Sequence, residues 1–236
     1  MSRPQQNDSA VSVNAHKLNL TDRVRHTIEQ RILDGNYHPN QHLTEQELAD
    51  QLSVSRTPLR EALRQLEITG YLVRRKSVGY IVASLSEKDM RDICEIRKAL
   101  ETLSARLACK NATADQIERA AGYLANYDRE LSNPTLRDIN DIFYGEGNWN
   151  NLFHEEIYRA SGNNVLVTEI NRLRDMARLK YAAQYFHYQE LLVFQSQHYM
   201  LLNAIKHRSS EEAESAVKLH LNTLYDLLDM VFMDET

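Results

Sequence analysis

The chain has 236 residues, 42% of them hydrophobic and 26% charged, with a formal net charge of −5; that suits one large or two modest domains with a real core and excludes a protein that is basic throughout. The charge is uneven, because residues 1–86 hold 11 Lys and Arg against 9 Asp and Glu while the remainder holds 17 against 24, so the two parts face different partners. No apolar run of about 18 residues could span a bilayer, and MSRPQQNDSAVSVNAHKLNL lacks the apolar core and basic flank of a secretory signal, so a cytoplasmic protein without membrane association is expected. Seven glycines and four prolines are too few for anything but long helices joined by short turns.

Residues 1–18 are polar and read as a flexible N-terminal arm. A first helix is expected from about Thr21 to Leu33, with Val24, Ile28 and Ile32 on one face, closed by the turn DGNYHPN. A second, short helix opens on a capping box, Thr44 as N-cap and Glu47 three residues later. The turn SVS then leads into VSRTPLREAL. Inside a helix Pro58 would cost about 3 kcal/mol, but in the first turn its missing N–H costs nothing, so the third helix begins after Ser55 as N-cap. Arg56 and Thr57 then occupy the opening turn and Arg60 the next. Guanidinium groups are thereby gathered at a helix end that is already positive, a placement that a phosphate or base edge would offset. Leu59, Leu63 and Leu66 form the opposite, core-facing stripe. Gly70 ends the helix as a left-handed cap, and YLVRR and YIVAS read as two short strands joined by KSVG. Residues 19–85 thus form a winged helix-turn-helix, a DNA-binding unit that reads the major groove with Ser55, Arg56, Thr57 and Arg60.

From residue 86 to 236 the pattern is helical without a convincing strand, with helices near 86–110, 114–131, 135–161, 164–187, 189–207 and 210–233. The fold class is therefore mainly α, a winged helix-turn-helix followed by an all-α bundle, which is expected to supply a dimer interface. Cys94 and Cys109 lie about 22 Å apart along one helix, too far to bridge, and read as reduced core residues. Three histidines of the bundle stand out. The turn between the last two helices centres on Ser209, with His198 eleven residues before it and His220 eleven after, so an antiparallel hairpin puts them at one height. His154 has Asn150 four residues earlier, on the same helix face. Four donors could therefore converge on a divalent metal inside the bundle; a merely polar cavity is the alternative. His187 and His207 have no partner at a suitable spacing and read as surface residues.

The run LTEQELADQLSVSRTPLREALRQLEITGYLVRRKSVGYIVA resembles the DNA-binding domain of GntR-superfamily transcriptional regulators over nearly every position of the motif. The resemblance implies operator contacts from Arg56, Thr57 and Arg60, help from Gln46, and a wing that enters the minor groove through Gly79. Where the family has a basic residue before that glycine this chain has Val78, which shifts wing contacts to Arg74, Arg75 and Lys76. NNLFHEEIYRASGN, SQHYMLLNAI, AVKLHL and EIRKALETLSARLA resemble the FCD effector-binding domain, from about Asp89 to Asp229. That likeness implies an Arg97 directed into the ligand cavity and a divalent metal, Zn, Ni or Mn, held by an Asp or Asn and three histidines. Asn150 stands where Asp is commoner.

The leading expectation is a ligand-responsive repressor, a homodimer on pseudo-palindromic double-stranded operator DNA, in which a small carboxylate meets the metal and alters operator binding. One alternative is a metal-sensing regulator with the ion itself as signal. The other is a three-histidine metalloenzyme with Glu155 as base, but adjacent helical residues point about 100° apart, so Glu155 should face away from the metal.

Overall fold

The structure, a computed structural model, describes residues 19–76, 79–132, 148–178 and 187–234, the last seven of these by their backbone alone. The expected N-terminal arm, the wing tip with Val78, and the parts of the expected helices that fall in 135–147 and 179–186 lie outside the described residues.

Helix α1 (Leu20–Leu33) starts where the Asn19 side chain accepts from the Asp22 amide, and it buries Val24, Ile28 and Ile32. Strand β1 (His42–Leu43) precedes α2 (Glu45–Leu52), whose Thr44–Glu47 capping box is formed in both directions. Ser53 turns the chain in the left-handed region, φ 52°, and α3 (Arg56–Ile68) begins with Pro58 in its first turn. Ser55 holds the N-cap position in extended backbone, but its side chain makes no capping bond. The opening N–H groups of α3 are thus left to an outside acceptor. Leu59, Leu63 and Leu66 are fully buried, each stabilising the head by about 1.5–3 kcal/mol.

Gly70, at φ +87°, ends α3 and sends the chain into β2 (Leu72–Arg75) and β3 (Gly79–Val82). The sheet has three strands in the order β1-β3-β2, because His42 and Leu43 pair with Ile81 and Tyr80. Sequence periodicity gave no sign of β1, since two residues are too few for alternation to register. Gly79 is required by that pairing: at φ +96° a Cβ would stand 3.0 Å from the Leu43 carbonyl oxygen. One continuous cluster from Val24 to Ala83 forms this core.

Beyond it run α4 (Glu87–Asn111), α5 (Ala114–Leu131), α6 (Trp149–Ala160), α7 (Asn164–Arg178), α8 (Tyr188–Lys206) and α9 (Ser210–Asp234). Capping boxes at Ser86–Asp89 and Thr113–Gln116 start α4 and α5. Helix α9 packs along α4 and α8, and α5 along α6 and α8, around a second core that runs from Met90 to Tyr225 and includes the two buried free cysteines. The α8–α9 turn is closed by Arg208 at φ 59°. Its guanidinium donates to the Cys109 and Ala112 carbonyls, a cation on the negative end of α4. Among the described residues no helix is long and apolar enough to cross a membrane.

Candidate functional site

In the N-terminal domain, Arg56, Thr57 and Arg60 stand exposed on the first turns of α3, as the position of Pro58 requires. Two of them are held by α2. Arg56 donates to Gln46 Oε1 at 2.6 Å, while Gln46 Nε2 donates to Asp50; Arg60 Nε meets Glu45 Oε2 at 2.7 Å. Arg60 also lines a cleft with Arg64, Arg74, Tyr80 and Glu45, so α3 and β2 bring three arginines to one edge. Arg74, Arg75 and Lys76 are all exposed at the end of β2, and Ser55 is exposed at the start of α3. Gly79 is partly buried against β1.

In the bundle the antiparallel hairpin does what the eleven-residue symmetry about Ser209 requires. The His198 and His220 rings lie 4.7 Å apart between centroids, and His154 on α6 lies 4.8 Å from the first and 5.2 Å from the second. One nitrogen from each of the three falls within 4.8 Å of the others. His154 and His198 are 6% and 1% exposed, and His198 Nε2 is buried without a hydrogen-bond partner. Asn150, also buried, lies one turn before His154 on the same helix.

Around the imidazoles the sequence points to Asn150 and Arg97. The Arg97 Nε donates to Glu101 Oε1 at 2.8 Å, one turn on along α4, and both side chains are buried. Tyr158, one turn after His154, stacks on that ring and donates its hydroxyl to the other Glu101 oxygen at 2.7 Å. Arg174 of α7 lies over the Tyr158 ring and donates to Asn151 Oδ1 at 2.9 Å. Burial alone would raise the Glu101 carboxyl, but the Arg97 and Arg174 guanidiniums outweigh it and hold the group below the usual range. Glu101 and Tyr158 were legible as i, i+4 neighbours of Arg97 and His154. The mark of Arg174 was an arginine one turn beyond the fully buried Ile170. Glu155 pairs with Arg159 at 2.6 Å on the outer face of α6, as the 100° rule requires. His187 and His207 are exposed at the two ends of α8.

All three imidazoles are pushed toward the neutral form, chiefly by burial and then by neighbouring cationic groups: His154 and His198 well below the ordinary value, and His220, against some opposition from Glu101, to about 4. An unfolded imidazole titrates near 6.5. Between those values the unfolded chain binds more protons than the folded one, so metal-free protein keeps its full stability above about pH 6.5 and loses it as pH falls toward about 4. His220 alone accounts for about 3 kcal/mol of that loss. Denaturant unfolding of chelator-treated protein between about pH 8 and about pH 4 should show the decline, shallower in His220→Gln; a flat profile would contradict it.

Residues 92–223 match the FCD domain and residues 20–82 match the family described as bacterial regulatory proteins, gntR family. The chain is 28% identical over 192 residues to the Nta operon transcriptional regulator of Aminobacter aminovorans, covering 80% of this chain and 85% of that protein. It is 27% identical over 227 residues to the HTH-type transcriptional repressor NanR of Klebsiella aerogenes, covering 87% and 84%. Its fold is similar to the solved structure of E. coli McbR/YncC, with a TM-score of 0.76 at 24% identity over 91% of this chain and 99% of that one. The FCD match takes in more than half of the chain and follows directly on a GntR-type DNA-binding head, so the protein belongs to the GntR family of bacterial regulatory proteins, as a ligand-responsive transcriptional regulator and not an enzyme.

Proposed function

We propose that the protein is a repressor that holds a divalent cation on His154, His198 and His220, with Asn150 as fourth donor, and that a small carboxylate joining this site changes its affinity for operator DNA. The observation that carries the metal reading is the buried, unpartnered Nε2 of His198 within a ring of three imidazoles. An isolated buried nitrogen lone pair is costly, and a cation gives it a partner. Zn²⁺, Ni²⁺ and Mn²⁺ all accept imidazole with an oxygen donor.

Charge supports the carboxylate. Among the described residues, neutral imidazoles and an Asn amide leave Arg97, Arg174 and Glu101 as the charged side chains acting on His220, a balance of one positive charge. Bound there, a divalent ion would add its charge undiminished and act as a Lewis-acidic anchor for an anion. Arg97 and Arg174, whose charges already act on the imidazoles, are the cations that would attract such an anion.

Helix α7 offers the route to the DNA head. Arg174 faces the histidines, while the next residue, Asp175, lies against Tyr71 and Glu29 of the winged helix, and Met176 reaches within 4.0 Å of where a Cβ on Gly70 would stand. Adjacent helical positions point to different neighbours, so a displacement of α7 that carries Arg174 toward an anion also carries Asp175 and Met176. Two heads on a pseudo-palindrome follow from the few base pairs that one recognition helix reads. That the related NanR is named a repressor supports the same sign of control.

Native mass spectrometry of the purified protein tests these parts together. The expected species is two chains carrying one metal ion each and a retained small acid. A metal-loaded dimer whose operator binding responds to the ion without any acid would make the ion the signal. Metal-free chains after purification without chelator, and no uptake of added Zn²⁺, Ni²⁺ or Mn²⁺, would leave a polar cavity in place of the metal site.

A further inference from the structure

We infer that Gln195 and Gln197 act as proton locks, fixing His198 and His220 in the tautomer that turns a bare Nε2 toward the cluster before any ion arrives. The purpose of the locks rests on the metal reading above; their chemistry does not.

The first lock can be read from atoms whose roles admit no choice. His198 Nδ1 lies 3.2 Å from Gln195 Oε1. The other end of that amide faces the Leu124 carbonyl oxygen at 3.0 Å and Asp128 Oδ1 at 2.7 Å. A backbone carbonyl only accepts, so the atom facing it is the amide nitrogen and the atom facing His198 is the oxygen. An oxygen only accepts here, so Nδ1 carries the proton and Nε2 the lone pair. Asp128 is itself steadied by the Tyr199 hydroxyl at 2.6 Å.

A second relay joins α8 to α9 and takes its direction from the bond that Thr223 makes to its own helix. His220 Nδ1 lies 3.2 Å from Gln197 Oε1, and Gln197 Nε2 donates to Thr223 Oγ1 at 2.9 Å. Thr223 gives its single hydroxyl proton to the Leu219 carbonyl at 3.0 Å, so toward Gln197 it can only accept. The amide cannot flip without losing that bond. Both glutamines are buried, at 4% and 5% exposure, so water offers no substitute partner. Left free, an imidazole exchanges its proton between both nitrogens, and the wrong form aims an N–H at the cation. Using amides instead of carboxylates orients the rings without adding negative charge, which preserves the attraction for an anion.

The test begins on metal-free protein labelled with ¹⁵N-histidine. Long-range ¹H–¹⁵N correlation spectra should show His198 and His220 as the Nδ1-protonated tautomer. Gln197→Leu should lose that bias at His220 alone, and the milder Thr223→Val should weaken it. Gln197→Glu, which keeps an acceptor, should retain it. In Zn²⁺ titrations, Gln197→Leu should bind about 10–100-fold more weakly, with Gln197→Glu at or above the wild-type affinity. A tautomer pattern unmoved by both Gln197→Leu and Thr223→Val, or Gln197→Glu behaving like the leucine variant, would overturn the locks. A locked pattern in a protein that takes up none of Zn²⁺, Ni²⁺ and Mn²⁺ supports the locks and removes the metal reading, whereas metal uptake by mixed tautomers does the reverse.

Discussion

His198→Ala should abolish metal retention and the response to a carboxylate together, while leaving operator binding intact. Losing a direct ligand costs more than the roughly 10–100-fold that loss of an orienting partner costs, and the remaining two imidazoles with Asn150 cannot close a site. The DNA head survives because its core, from Val24 to Ala83, is a cluster separate from the one that surrounds the histidines. Asn150→Asp should move two affinities in opposite directions. A carboxylate donor tightens the hold on the metal, and its negative charge beside the ligand position weakens the incoming carboxylate. Calorimetry on the metal-loaded pair measures both, and a carboxylate affinity unchanged or improved by Asn150→Asp would place the effector away from the metal.

Arg60→Ala should cost about 1–3 kcal/mol in operator binding and relax the preference at one position of each half-site, the value of a bidentate contact to guanine. In the free protein this side chain is paired with Glu45, but at 62% and 29% side-chain exposure such a pair is worth little and yields readily to a base. Lys76→Ala should instead weaken specific and non-specific duplexes alike and lower the salt slope by about 1, as loss of a phosphate contact does. Binding titrations on matched operator and scrambled duplexes at two salt concentrations separate the two. Equal losses on both duplexes for Arg60→Ala would mean that this arginine only neutralises backbone charge.

The parts of the fold that were legible in the sequence are those governed by neighbours along the chain. Thr44 and Glu47 announce a helix start because their bonds span three residues. Pro58 can stand only in a first turn, which fixes where Arg56 and Arg60 sit. The pairing of His198 with His220 was also readable, because a short turn forces two helices to run antiparallel and equal offsets from it to meet. Even the spacing of Arg97 and Glu101 allowed their ion pair, although the expected role of Arg97 drew attention to the cavity alone.

What the sequence by itself determined, then, is the start of the capped helices, the place of Arg56 and Arg60 on the first turns of α3 and the convergence of three imidazoles, all consequences of helical repeat, capping and turn length. Tertiary structure alone decided which side chains surround that cluster. Arg174 arrives from α7, Gln195 is anchored to the Leu124 carbonyl 71 residues away, and β1 exists only because β3 offers it a ladder. No local signal marks such partners, because their value comes from excluding water together: a guanidinium or an amide is unremarkable on a solvated helix face and becomes decisive only where burial leaves its neighbours nothing else to bond.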